Sequence, residues 1–209
     1  MGQFEYFLEQ NTKLREKQFC DCLRECMEKR NGYLEKDVRM VYEENKEDIT
    51  ESFRAAFREG IRQVEIMQTS YVKELICYIH LSYLLSNALT GENKVKIDFY
   101  DRRYFADLQE VDCFWDYGVL FPTYKQELFE MESQMRQEVP RLTLYELQKA
   151  RTYFQVENFI VLGSILRTLI KEAEIREYAG RYLAPEARVF YGAYLDQAEL
   201  ICKWERERG

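Results

Sequence analysis

Proline and glycine are scarce in this chain, and their scarcity excludes several kinds of structure. Only three of the 209 residues are proline, the first of them Pro122, and the nine glycines lie about thirty residues apart through the first half. No two glycines stand close enough to form a GxGxxG turn or a phosphate-binding P-loop. Because proline costs about 3 kcal/mol inside a helix and glycine about 1 kcal/mol, residues 3–90 are free to form long helices.

Histidine is almost absent as well. The single histidine, His80, excludes zinc sites rich in histidine and the di-iron bundles that need two Glu-x-x-His motifs. It lies between Ile79 and Leu81 in the most apolar part of the chain, where we expect a buried or half-buried histidine that bonds to a neighbouring group. We therefore assign no catalytic residue, no metal ligand and no cofactor.

The six cysteines lack the spacing of a metal or disulfide framework, since no C-x-x-C pair occurs. Cys22 and Cys26 are one helical turn apart on a predicted helix, whereas Cys20 points elsewhere. Two interpretations stay open: thiols packed in a core, or a pair of thiolates that holds a soft metal. We favour the core.

Long apolar runs are also lacking. The stretches Leu75–Leu85 and Phe159–Ile170 are too short or too interrupted to cross a bilayer. Met1–Lys13 has no apolar centre of the kind found in signal peptides. We therefore expect a cytoplasmic protein with free thiols and no membrane partner.

The net charge of −7 makes the chain a poor candidate for nucleic-acid binding, which needs a cationic face that releases counterions. We keep that function only as a third hypothesis, in which arginines of the C-terminal part contact phosphates. Those arginines are Arg141, Arg151, Arg167, Arg176, Arg181 and Arg188.

Helical periodicity dominates what is present. Apolar residues recur at intervals of three to five, and Thr143-Leu-Tyr-Glu146 is a capping box at the start of a helix. The predicted helices cover about 3–29, 33–45, 48–69, 70–89, 124–137 and 144–178, with a last helix that begins at Pro185. We predict a mainly α protein, an elongated bundle of five to seven helices that forms a single helical domain over 1–209. Long amphipathic helices also favour a homo-oligomer.

One segment, residues 92–124, departs from this pattern. Lys94–Tyr100 alternates with period two, so Val95, Ile97 and Phe99 share one face of a strand. A lone strand needs a partner, and Val119–Phe121 is the nearest candidate. We therefore predict a small β-containing insertion in the helical domain.

The insertion is rich in aromatic and acidic residues, and it is our candidate contact surface. Residues 99–124 hold nine aromatics, and residues 91–140 hold six basic and eleven acidic residues, a net of −5. The aromatics either plug the core or form a partner-binding patch. The predicted patch consists of Tyr100, Tyr104, Phe105, Phe114, Trp115 and Tyr117. The predicted function is non-catalytic protein–protein interaction, of an adaptor, accessory, inhibitor or immunity type, with a basic protein as the partner.

The rival hypothesis is an enzyme or small-ligand binder. Its pocket lies where the insertion meets the helices, and polar side chains of the insertion supply its chemistry. Those side chains are Asp98, Asp101, Arg102, Arg103 and Tyr104.

Overall fold

A five-stranded sheet with helices on one face forms the centre of the protein. The structure is a computed structural model, and it describes the backbone of residues 3–205 and the side chains of residues 13–205. The helices are α1 (Gln3–Asn31), α2 (Leu34–Glu44), α3 (Lys46–Thr69), α4 (Asn87–Thr90), α5 (Tyr124–Glu138), α6 (Leu144–Glu172) and α7 (Ile175–Ala179). The strands are β1 (Ile76–Tyr83), β2 (Lys94–Tyr100), β3 (Phe114–Asp116), β4 (Leu183–Ala193) and β5 (Ala198–Glu205).

The strands are ordered β3-β2-β1-β4-β5 across the sheet. Strands β1, β2 and β3 follow one another as antiparallel neighbours, and β4 and β5 form an antiparallel hairpin. The two parts join through a parallel pairing of β1 with β4. That pairing requires a long crossover, which the chain makes through helices α5 and α6.

The prediction of a mainly α, elongated helical bundle is therefore wrong. Residues 70–89, predicted as a helix, contain the central strand β1. A short apolar run cannot be assigned to helix or strand by periodicity alone, and the β-branched and aromatic residues of β1 favour a strand. The protein is an α-plus-β structure and not an all-α one.

The predicted last helix is also wrong, because the chain forms the β4–β5 hairpin there. Pro185 lies in β4 between the β1-paired residues Leu183 and Arg188, where the β1 ladder is interrupted. A proline cannot donate a ladder hydrogen bond, so this interruption is the position in a strand that tolerates it.

Strand β2 has the bounds that the alternating pattern predicts, but it is not part of an insertion. It pairs along most of its length with β1, and Lys94–Lys96 pair with β3. The proposed partner Val119–Phe121 is no strand, since Gly118–Leu120 form a 3₁₀ turn. Residues 92–124 thus supply two of the five strands of the main sheet.

The long helices of the prediction are confirmed in outline. Thr143 and Glu146 form the predicted capping box, in which the Glu146 amide donates to the Thr143 hydroxyl over 3.3 Å. Helix α6 ends at Glu172, earlier than predicted, and Glu174 follows with a φ of +50°. The side chains of residues 3–12, the first part of the predicted helix 3–29, lie outside the described side chains. Among the described helices, none combines the length and the apolar character that a membrane crossing requires.

A buried arginine joins three of the helices. Arg30 at the end of α1 donates to the Glu127 carboxylate of α5 over 2.7 Å. It also donates to the Phe154 carbonyl over 3.1 Å and to the Asn158 side chain over 2.5 Å, both on α6. Its guanidinium lies 4.1 Å from the centre of the Phe154 ring. A buried charge with this many partners fixes the relative positions of α1, α5 and α6.

Two glycines let helices approach the sheet closely. A Cβ at Gly60 of α3 would lie 2.4 Å from the Phe99 ring of β2, and one at Gly163 of α6 would lie 2.9 Å from the Tyr191 ring of β4. The Tyr191 hydroxyl donates to the Phe159 carbonyl of α6 over 2.7 Å. The sheet therefore packs against α3 and α6 at positions where only hydrogen leaves enough room.

We predict that Gly60→Ala destabilises the protein by about 1–3 kcal/mol, because the new methyl group overlaps the Phe99 ring. The sign of the change in unfolding free energy is informative. Helix propensity alone would make the alanine variant more stable, since alanine is better than glycine in a helix by about 1 kcal/mol. Urea denaturation measures the change. Gly32→Ala is the control, because its Cβ meets no atom closer than 3.4 Å. Equal or greater stability of Gly60→Ala would contradict this packing.

Candidate functional site

The face of the sheet that points away from the helices, here called the outer face, carries most of the unusual chemistry. Alternation along the strands places one set of side chains on it and the apolar residues Ile79 and Leu81 on the helix side. The register aligns the outer-face residues of three neighbouring strands. They are Tyr78, His80 and Ser82 of β1, Lys96, Asp98 and Tyr100 of β2, and Arg188 and Phe190 of β4.

His80 lies at the centre of an aromatic cluster on this face. It is only 5% exposed, and its ring is 5.0 Å from Phe190, 5.3 Å from Tyr104, 5.5 Å from Phe105 and 5.7 Å from Tyr100, between ring centres. The Tyr104 hydroxyl and His80 Nε2 are 2.7 Å apart. Burial lowers the pKa of His80 to about 4. The imidazole is therefore neutral at pH 7, and its Nε2 shares a hydrogen bond with the Tyr104 hydroxyl.

A buried ion pair lies beside this cluster. Lys96 Nζ is 2.9 Å from Asp98 Oδ1 and donates to the Tyr194 hydroxyl over 3.1 Å. Burial raises the pKa of Asp98, and Lys96 opposes that rise. Burial acts to lower the pKa of Lys96, but its bonds to Asp98 and Tyr194 outweigh this, so the lysine holds its proton firmly. Asp98 Oδ2 is buried without a hydrogen-bond partner among the described residues.

Residues 101–113, here called the covering loop, lie over part of the outer face. Lys73, in front of β1, donates to Asp107 over 2.5 Å and to the Gln109 carbonyl over 2.6 Å. Both side chains of the Lys73–Asp107 pair are fully buried, at 0% exposure. Asp101 accepts hydrogen bonds from both the backbone amide and the guanidinium of Arg103. A dense set of charge-assisted bonds therefore holds the loop in one place.

The loop also positions Tyr104 against the imidazole. Tyr104 has a φ of +56°, a left-handed conformation that is uncommon for a residue with a bulky side chain. Its ring lies 4.6 Å from Tyr78 and 4.1 Å from Phe105, between ring centres. The surrounding contacts thus hold Tyr104 in a conformation that it rarely adopts elsewhere.

The six aromatic residues of the predicted patch divide into two groups. Tyr100, Tyr104 and Phe105 converge on His80, and Phe114 lies exposed on the outer face of β3. Trp115 and Tyr117 point into the core instead. The Trp115 indole donates to Ser52 over 3.0 Å, and Gln155 donates to the Tyr117 hydroxyl over 2.9 Å. Both are buried, so the patch available to a partner consists of the first four residues.

The polar residues of the rival ligand pocket are engaged in contacts with the protein itself. Asp98 binds Lys96, and Tyr104 binds His80. Asp101 and Arg103 bind each other, and Arg102 lies at the surface with its guanidinium 2.8 Å from Glu74. Each of the five side chains therefore already has a partner within the described part of the protein.

The structure also shows where the two paired cysteines and the C-terminal arginines lie. Cys22 and Cys26 are buried, Cys26 donates to Gln134 over 3.4 Å, and burial raises the pKa of Cys22 to about 12. A thiol with a raised pKa gives up its proton less readily, which disfavours metal binding at this pair. Four of the six C-terminal arginines pair with glutamates, which offsets their positive charge locally. The pairs are Arg151–Glu132, Arg167–Glu199, Arg181–Glu65 and Arg188–Glu186.

Sequence reasoning missed Lys96, Phe190 and Tyr194 as members of this cluster, and it placed His80 on a helix. The signal was the alternation in β1, where Tyr78, His80 and Ser82 occupy every second position. His80 is buried and bonded to a neighbour, as expected. That the neighbour is Tyr104 could not be predicted without the structure of the sheet and the covering loop.

Compared with models of protein families, with curated proteins and with solved structures, the chain matches none of them. Its function has to be inferred from the geometry of its surfaces.

We predict that Lys96→Met destabilises the protein by about 3–5 kcal/mol, because it leaves the Asp98 carboxylate buried without its partner. The double variant Lys96→Met/Asp98→Leu should lose less than the sum of the two single variants, which urea denaturation measures as a coupling energy. Lys94→Met is the matched control. Its exposed pair with Glu92, at 2.8 Å, should contribute about 1 kcal/mol or less. If the stability losses of the two single variants added up to that of the double variant, the pairing of Lys96 with Asp98 would be contradicted.

We predict that His80 makes stability depend on pH. The unfolded histidine has a pKa near 6.5 and the folded one near 4, so the unfolded state takes up a proton that the folded state excludes. Stability from this group is complete above about pH 6.5 and falls by about 3 kcal/mol as the pH drops to 4.

His80→Gln supplies the comparison, since glutamine offers an oxygen to Tyr104 and does not titrate. The carboxylates titrate in both proteins and cancel in the difference between their stability curves. Curves that stay parallel from pH 7 to pH 4 would show that His80 is not held neutral by burial.

Proposed function

We propose that the protein is a non-catalytic interaction module that binds a lysine- or arginine-bearing segment of another protein on its outer face. The observation that carries the proposal is the exposed part of the aromatic cluster. Phe105 packs against His80 and Tyr100 yet remains 46% exposed, on a face that the described helices leave uncovered. A partner that covered this ring would bury apolar surface that the fold alone leaves in water.

Neighbouring apolar side chains extend this surface. Phe114 of β3 is 41% exposed and Leu200 of β5 is similarly exposed, and the register places both on the outer face. Phe190, opposite Leu200, is half-buried between Leu200 and His80. Aromatic residues with an apolar surround are typical of the centres of protein interfaces.

Charge supports a basic partner. The acidic side chains Glu110 and Asp116 are exposed at the edge of this surface, and Glu110 lies 3.7 Å from Lys96. Residues 91–140 carry a net charge of −5. Guanidinium and ammonium groups bind both carboxylates and the faces of aromatic rings, so rings with acids around them complement a cationic segment.

Binding accounts for the site better than catalysis does. The polar groups of this face are buried beneath the covering loop or beside it, where a substrate cannot reach them easily. They are His80, Asp98 and Lys96, and each forms a hydrogen bond or ion pair with another residue of the protein. Loop residues held by buried ion pairs form a rigid surface, and a rigid surface loses little conformational entropy when a partner binds.

Site-specific photo-crosslinking tests the proposal. A benzophenone side chain replaces Phe105 in one protein and Phe129 of α5, which is 66% exposed, in a control. In extract of the native host, we expect crosslinks to a basic protein from position 105 and not from position 129. The captured protein is then purified, and its affinity is measured by calorimetry.

Two point variants complete the test. Phe105→Ser should weaken the purified complex at least about tenfold, because truncation of an interface-centre aromatic costs more than about 1.4 kcal/mol. Phe129→Ser should leave the affinity unchanged, and added salt should slow association. Equal effects of the two variants, or the same crosslinks from both positions, would exclude the outer face as the contact.

A further inference from the structure

A separate cavity lies on the helix side of the sheet, between α6 and the β4–β5 hairpin. Its volume is about 530 Å³, within the range of small-molecule sites. Tyr83 at the end of β1 and Phe159 of α6 line it, together with Gly163 and Gly192, which add no side chain to its walls. The outer-face residues of the proposed interface do not line it, so the two sites are independent.

The aromatic lining of this cavity is a stacked pair. The rings of Tyr83 and Phe159 have centres 4.2 Å apart and planes that differ by 16°. Tyr191, bonded to the Phe159 carbonyl, holds α6 against β4 beside them. Phe159 is only 1% exposed and backs the Tyr83 ring, so the half-buried Tyr83 ring is the flat surface on which a planar ligand can stack.

The polar edge of the cavity carries one arginine and one glutamate. Arg167 of α6 reaches across to Glu199 of β5, with 2.6 Å between Nη2 and Oε1, and both side chains are exposed. Exposed pairs of this kind contribute little to stability, so a ligand anion can replace Glu199 at small cost. The hydrogen bond to Glu199 uses Nη2 alone, and no described residue accepts from Nε or Nη1. Glu199 takes one of the two Nη2 protons, so the other Nη2 proton and the N–H beside it remain as a two-donor fork for a carboxylate.

We propose that this cavity binds a small planar aromatic anion, with its ring against Tyr83, which Phe159 supports from behind, and its carboxylate on Arg167. The ring type follows from the stacked pair, and the sign of the charge follows from the free guanidinium donors. A neutral compound with the same ring keeps the stacking contacts and loses the bidentate pair.

Heteronuclear NMR with 2-naphthoate as the probe tests this site. Up to about 5 mM probe, we expect saturable shifts of the Gly163 and Gly192 amides, which line the cavity, and none at Gly91 and Gly118, which lie elsewhere. The neutral analogue 2-naphthalenemethanol should bind about tenfold more weakly.

Matched arginine variants test the assigned charge. Arg167→Gln should weaken 2-naphthoate about tenfold. Arg181→Gln, which removes an exposed arginine paired with Glu65 away from the cavity, should not change the affinity. Three results would overturn the proposal: no saturable shift, shifts centred on the outer face, or equal affinity for the acid and the alcohol. Unchanged affinity in Arg167→Gln would overturn it as well.

Discussion

The central strand β1 carries side chains that need burial on both of its faces. The way in which each face is covered determines the rest of the structure. On one face, helices α3 and α6 pack closely against the neighbouring strands β2 and β4, at Gly60 and Gly163. The described helices leave the other face open. There the covering loop lies across part of the strand, held by the fully buried Lys73–Asp107 pair. A loop has few apolar side chains with which to cover a sheet, so buried charge and aromatic rings take the place of a second helical layer.

This arrangement explains why polar chemistry gathers on the outer face. A lysine or aspartate in such a place needs partners, and Lys96, Asp98 and Tyr194 supply them for one another. His80 stays neutral because water is excluded from it. The rigid support also sets how far Phe105 protrudes, so the shape of the proposed contact surface depends on the ion pairs that hold the covering loop.

Local patterns predicted those elements whose structure depends on near neighbours along the chain. The capping box at Thr143 and Glu146 starts α6 where expected, and the alternation of Lys94–Tyr100 predicts β2. Strand β1 was not predicted, because both of its faces are buried and its apolar residues therefore suit a buried helix equally well. The local signs of a strand were the β-branched and aromatic residues of β1 and the period-two placement of Tyr78, His80 and Ser82. For the site, the enrichment of aromatics in residues 99–124 was visible, whereas their division between core and surface was not.

The amino-acid sequence by itself determined the long helices and strand β2, and its shortage of histidine and closely spaced glycines excluded histidine-rich metal sites and glycine-rich phosphate loops. Each of these conclusions depends on residue type and short-range spacing. Only the tertiary structure decided which aromatics are available to a partner. Trp115 faces the helices and Phe114 faces solvent, because β3 pairs with β2 in one register, and a shift by one residue would exchange them. Likewise Phe190 reaches His80 only because β4 pairs in parallel with a strand about a hundred residues earlier. Such pairings are selected by the packing of the whole chain, and no local segment contains the information.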